Sequence, residues 1–201
     1  MNKQFSSKIL LLFLVLLLAS CTTKAQLTGV WVDDTIGDYT IDNVLVIGIT
    51  RDTFVQKLWE NVFTSRLAQE NIKAMASYAT VGTKIKPERK SVEDAIRKSG
   101  AKTVLISRVI DSTTNIQTLP GRRTSALGIY GFYDLSVKST YVPPSTIVKK
   151  VVRLETNFYD VATEKLIWTS QVDVFDPEMT KVAYDRVIGL LIEDLRLKNL
   201  L

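Results

Sequence analysis

The chain offers few places where chemistry could reside. It has no histidine, and Cys21 is its single cysteine. A Ser-His-Asp triad, a Cys-His pair and the usual His/Cys zinc sites are therefore excluded at the outset. The remaining acid–base candidates are Glu155, Asp160, Glu164 and Asp173, which lie close together in the sequence. If they fell on one hairpin, two could face each other across strands as the carboxylates of a hydrolase do; the plainer reading is solvated acids on a sheet edge. Ser99 is followed by Gly100 without a G-x-S-x-G frame. GRRTSALGIYG (121–131) lacks the strand-to-helix setting of a phosphate loop. No catalytic residue, cofactor or metal site is expected, and the chain reads as non-enzymatic.

Cys21 itself has a defined setting. Met1 to Lys8 carries Lys3 and Lys8, and Ile9 to Leu18 is unbroken apolar sequence, the order of a secretory signal peptide. That run is about half the roughly 20 residues a membrane span needs. Leu18, Ala19, Ser20 and Cys21 resemble the lipobox of bacterial lipoproteins. The resemblance implies a diacylglycerol on the Cys21 sulfur, removal of residues 1–20, and acylation of the new amino group with fatty acid such as palmitate. The alternative is a free thiol behind an ordinary signal cut elsewhere. Two or three acyl chains make an effectively permanent membrane anchor. In many proteobacteria an aspartate behind the lipidated cysteine marks retention at the inner membrane. Thr22 stands there instead, which by that resemblance points to the outer membrane of the cell envelope, facing the periplasm.

Without residues 1–20 the chain keeps 181 residues, enough for one domain with a substantial core. Twenty-six Lys and Arg oppose 21 Asp and Glu, and loss of Lys3 and Lys8 lowers the balance from +5 to +3. That is too mild to indicate nucleic acid.

Residues 21–42 follow the signal as lipidated terminus and tether, rich in polar and turn-forming types, with Trp31 expected to dock on the domain. A single domain then spans 43–201. Val44 to Ile49 (VLVIGI) predicts a strand covered on both faces and central in its sheet. Thr53 with Gln56 predicts a capping box opening a helix to about Asn71. Ile72 to Ala79 reads as a second strand. Ser91 with Asp94 predicts another capped helix, stopped by Gly100 in a left-handed conformation. Thr103 to Ile110 is a third strand. The order strand, helix, strand, helix, strand makes the core α/β with parallel strands.

The final third changes character. Val152, Leu154, Thr156 and Phe158 alternate with polar neighbours, and Leu166 to Phe175 alternates likewise, predicting an antiparallel hairpin with one wet face. Asp176 as cap and Pro177 as first residue predict a C-terminal helix with Tyr184, Ile188, Leu191 and Leu195 on one stripe.

Between these halves lies an insertion at about 111–150. A structureless loop of that length is improbable, so it should form an extra hairpin or carry function. Arg122, Arg123, Tyr130, Phe132, Tyr133 and Tyr141 are its candidate partner-binding residues, since Arg and Tyr anchor interfaces. The alternative is a β-extension whose aromatics only cover the sheet.

The lipobox, this order of elements, and the phrases SGAKTVLISRV and RLETNFYDVATEKLIWTSQVDVFDP resemble a group of bacterial envelope lipoproteins. Their domains are similar to the amino-terminal domain of TolB and to the curli-secretion and penicillin-binding-protein activator lipoproteins. The resemblance covers roughly residues 43–197 and transfers no functional residue. It implies a binding or assembly factor of the envelope, with an envelope protein or the chain itself as partner. Pore-forming insertions like those of the curli channel are not evident, because the insertion is charged and broken by Pro143 and Pro144. Self-assembly as a secretion accessory and a carboxylate-based hydrolase remain as alternatives.

Overall fold

The computed structural model describes residues 24–37, 39–82, 89–120, 122–123, 141–142 and 144–201, the two shortest segments by backbone alone. Its organising strand is β2 (Val44–Ile49). Val44, Leu45, Val46 and Ile47 are all buried, as an apolar run facing two covered sides requires. β2 pairs in parallel with β3 (Ala74–Ala76) on one side and with β4 (Thr103–Leu119) on the other.

Helix α1 (Thr53–Gln69) returns over one face, burying Trp59, Val62, Phe63 and Leu67. Its cap is Asp52, whose carboxylate accepts from the N–H groups of Phe54 (2.8 Å) and Val55 (3.2 Å). The expected Thr53–Gln56 capping box does not form; Gln56 is buried and donates to Glu60 instead. The helix ends two residues earlier than expected. Asn71 takes a left-handed φ of 62°, so that Ile72 N–H reaches Leu67 O and Asn71 N–H reaches Ala68 O. This closure is the Schellman motif, with Asn in place of the more usual Gly.

The second strand is shorter than its sequence predicts. After Ala76 the chain turns into α2 (Ser77–Val81), because the Ser77 hydroxyl and the Tyr78 N–H both bond to the Glu60 carboxylate. Helix α3 (Arg89–Ser99) covers the opposite face of the parallel strands through Val92, Ala95 and Ile96. It starts before Ser91, which therefore lies within the helix and caps nothing. Gly100 stops it at φ +61°, as expected.

The antiparallel half consists of β7 (Ser145–Asp160), β8 (Leu166–Phe175) and β1 (Lys24–Val32). The six-stranded sheet runs β1-β8-β7-β4-β2-β3, so β2 is internal but next to an edge. β1 overturns the reading of this segment as tether. It pairs with β8 from Lys24 opposite Phe175 to Val32 opposite Trp168, with a bulge between Leu27 and Gly29. Ala25, Leu27 and Val32 pack on the core while Lys24, Gln26 and Thr28 alternate outward, which is the pattern of a half-buried edge strand. Trp31 is joined to the domain through its backbone, and its side chain stays half exposed.

Helix α4 (Lys181–Leu197) lies beside α1 on the same face. Arg66 holds Asp185 between them with its Nε 2.6 Å from the carboxylate. The buried stripe contains Ala183, Val187, Ile188, Leu191 and Leu195. Its cap is Thr180, whose hydroxyl accepts from Ala183 N–H, and not Asp176. Asp176 and Pro177 precede the helix; Asp176, at φ 48°, exchanges hydrogen bonds with the backbone of Lys150. Among the described residues no helix is long and apolar enough to cross a membrane.

The flanks of the insertion do form a hairpin. β2 stops opposite Arg108 and β8 stops opposite Val151, but β4 and β7 continue as a ladder from Thr113/Val151 to Leu119/Ser145. This two-stranded arm extends past the sheet. Beyond it, β5 (Arg122–Arg123) pairs with β6 (Tyr141–Val142). Lys24, Phe175, Val151 and Thr113 form one row across the sheet at this end. The first turns of α1 and α4 follow the ends of β2 and β8, so they lie at the same end. The β7–β8 turn, Gly100 and Leu197 lie at the opposite one.

Candidate functional site

Where β2 and β8 finish, the first turns of α1 and α4 stand apart over the sheet and leave a cavity of about 340 Å³. Its walls are mostly apolar. Ile49 comes from β2, Val55 and Trp59 from α1, Val109 from β4, Leu154 from β7, and Met179 and Tyr184 from α4 and its approach. Each element contributes through its period: i, i+4 on α1 for Val55 and Trp59, and alternate residues on the strands.

Trp59 is the centre of the wall. Its ring meets Phe63 edge-on at 5.9 Å and Tyr184 at 5.8 Å. Gly48 permits this position, since a Cβ there would come 3.3 Å from Trp59 Cδ1. The indole Nε1 is buried and has no hydrogen-bond partner among the described residues, an arrangement uncommon for Trp. Burial, assisted by Asp52, pushes the Tyr184 phenol above its ordinary range. Beneath the wall, Glu60 is fully buried and accepts from Gly48 N–H (2.9 Å), Gln56 Nε2 (3.0 Å), Ser77 Oγ (2.7 Å) and Tyr78 N–H (3.1 Å). These four donors fix the end of β2 and the start of α2 against α1.

The cavity rim is mixed in charge, with Asp52, Arg108, Lys150 and Glu178. The Ser107 hydroxyl in the wall is hydrogen-bonded to Thr156 at 3.0 Å. The lining therefore suits an apolar group. A second, more open trough of about 530 Å³ lies on the other face, between α3 and the strands, bordered by Arg89, Glu93, Arg97 and Glu164.

The four carboxylates that could have formed an acid–base pair are each engaged. Glu155 accepts from Arg108 at 2.9 Å. Asp173 is held by both Arg153 nitrogens at 2.7 and 2.8 Å, and that pairing keeps its carboxyl below the usual carboxylate range. Asp160 is likewise lowered, chiefly by the Thr163 side chain and N–H, with Tyr39 OH also donating to it. Glu164 lies 3.3 Å from Arg89. All four act as acceptors. Among the described residues no cluster of three or more His, Cys, Asp and Glu is arranged to hold a metal ion.

The lipidation residue Cys21 and the candidate contacts Tyr130, Phe132 and Tyr133 lie outside the described residues. Arg122 and Arg123 lie on β5 and Tyr141 on β6, with Arg123 opposite Tyr141; only their backbone is described. Sequence reading places Trp59 within the helix expected from Thr53 to about Asn71 and Tyr184 on the stripe of the last helix, but not around a shared cavity. The one local signal was Gly48, a glycine inside an otherwise bulky strand, which marks a close approach by another group.

No protein-family model and no curated protein matches the chain. Among solved structures, it is similar to the PelC dodecamer from Paraburkholderia phytofirmans, at 15% identity and TM-score 0.43, covering 85% of this chain and 96% of that one. It is also similar to lipoprotein GNA1162 from Neisseria meningitidis, at 11% identity and TM-score 0.37 over 80% and 95%. A PDZ domain protein from Parabacteroides distasonis matches at 8% identity and TM-score 0.37, over 87% of this chain and 37% of that one. At these identities and scores none of them carries a function to this chain.

Proposed function

We propose that the protein is a lipoprotein of the bacterial cell envelope, anchored through acylated Cys21 and acting as a binding or assembly factor rather than an enzyme. The lipobox LASC behind a ten-residue apolar run carries this reading. Two further features support the binding role: the sequence has neither histidine nor a second cysteine, and the clustered acids are occupied by Arg, Thr and Tyr donors. The outer membrane, facing the periplasm, is the proposed site, with an envelope protein as partner of the insertion. Arg122, Arg123, Tyr130, Phe132, Tyr133 and Tyr141 are its contact residues.

Metabolic labelling with an alkyne fatty acid tests the anchor. Label and membrane association should both vanish in Cys21→Ala, and retention of either would sink the reading. A photocrosslinker at Tyr133 tests the partner role of the insertion, and the same envelope protein should be captured repeatedly and lost on charge reversal at Arg122 and Arg123.

One observation favours a second reading, self-assembly. Among the described residues the arm of β4 and β7 pairs with no third strand on either edge. Open edges template pairing with another chain, and a lone two-stranded ribbon is marginal in water. Light scattering of the detergent-solubilised lipoprotein separates the two: a strict monomer at high concentration rejects assembly.

A further inference from the structure

We infer that the cavity between α1 and α4 admits an acyl chain of a phospholipid from the membrane that holds the protein. This rests on the anchor reading of Cys21.

The first argument is where the chain enters. Only two residues, Thr22 and Thr23, separate Cys21 from Lys24, the first residue of β1. At about 3.3–3.6 Å per residue, Lys24 lies within about 11 Å of Cys21 along the chain. Lys24 is in the row of Phe175, Val151 and Thr113, at the end of the sheet where the cavity opens. A lipid on Cys21 therefore brings that end, and not the opposite one, to the bilayer surface.

The second argument is what that end displays. Ile49, Phe54, Val109, Ile110, Phe175, Met179 and Val182 are all exposed there, Phe54 and Met179 by about two thirds. Among the described residues, the large exposed apolar side chains outside this end and the arm are Val30, Trp31 and Leu197. Concentration of apolar surface on one end marks an interaction face. Lys24, Arg51, Lys150 and Lys181 surround it with Asp52, Asp176 and Glu178 interspersed. Long basic side chains can rest their stems on the apolar surface and hold their charges at headgroup level.

The third argument is the cavity interior. It is apolar, about 340 Å³, and within the roughly 300–1,000 Å³ range of ligand sites. It is bounded by Ile49, Val109 and Met179 of the exposed set, so an acyl chain can pass from the bilayer into it without crossing water.

The test replaces Met179 with a photoreactive diazirine amino acid in the full chain, in cells, and reads the intact mass after illumination. The same spectrum reports the lipid on Cys21. The expected product is the lipidated chain plus one phospholipid. The same probe at Leu197, exposed at the far end of α4, should give no such product, and Val109→Trp, which plugs the entrance, should abolish the product at 179. A crosslink to a second copy or another protein, no crosslink, or an internal crosslink to the protein's own anchor without mass gain would each overturn the inference while leaving the anchor standing. A chain with no lipid on Cys21 would remove both.

Discussion

Replacing Glu60 with Gln tests the most densely bonded polar group in the core. The side chain is fully buried, and both oxygens accept: Oε1 from Gly48 N–H, Gln56 Nε2 and Ser77 Oγ, Oε2 from Tyr78 N–H. A glutamine retains one acceptor oxygen and places an NH2 at the other position. The least damaging orientation keeps the carbonyl at the Oε1 site, with its three donors, and sets the NH2 against the Tyr78 N–H. That leaves one buried donor facing another donor, at about 1–3 kcal/mol, and weakens three charge-assisted bonds to neutral ones. Relief of burying a carboxylate offsets part of this. The expected net loss is about 2–4 kcal/mol. At about 2–4 °C per kcal/mol for a chain of this length, the melting temperature should fall by roughly 5–15 °C. Urea denaturation should show a lower midpoint at an unchanged slope, and amide exchange should accelerate first at Ser77 to Val81. Glu60→Ala, which orphans all four donors, should be worse. A Glu60→Gln protein within about 0.5 kcal/mol of the parent, the range of an ordinary surface substitution, would refute the four-donor reasoning.

Three further outcomes follow from the geometry. Thr180→Ala should cost about 1 kcal/mol by thermal melting, whereas Pro177→Ala should change little, because Thr180 and not the Asp176–Pro177 pair opens α4; equal effects would contradict this. Asn71→Ala should destabilise by about 1 kcal/mol and Asn71→Gly by less, since φ is 62° there; the reverse order would show that the closure does not set the helix end. Asp173 and Asp160 have carboxyls lowered from 3.8 in the folded state by Arg153 and Thr163, respectively, so the stability they contribute is present above about pH 3.8 and lost as pH falls further. Asp173→Asn should therefore lower stability at neutral pH and flatten the loss as pH falls below about 3.8 in acid denaturation.

The elements that depend on short-range pattern were legible in the sequence. VLVIGI could only be a doubly covered strand, and SG at 99–100 marked a left-handed stop that the structure has. The hairpin of β7 and β8 followed from alternation alone. The misplacements share a cause, a distant partner that outweighs a local signal. Thr53 and Gln56 have the spacing of a capping box, but Glu60 draws Gln56 into the core and Asp52 takes the cap. Asp176–Pro177 has the form of a helix start, yet Asp176 bonds to Lys150, 26 residues away. β1 escaped notice because its pairing partners lie 136 to 151 residues on, from Val32 opposite Trp168 to Lys24 opposite Phe175, and Gly29 interrupts its alternation at the bulge. The cavity was least legible of all. Gly48, Trp59, Val109, Met179 and Tyr184 come from separate segments, and nothing in any one of them announces the others.

The edge strand β1 also has a mechanical meaning. It enters the sheet at Lys24 and runs antiparallel beside β8 through eight paired residues before the chain turns away at Asp33, itself held by Ile167 O. A pull on the chain ahead of Lys24, directed along the strand, loads those rungs together in shear, whereas a pull across the sheet would open them one at a time. Whatever the domain grips at its far end, tension toward the amino terminus is carried by a whole strand and not by a single turn.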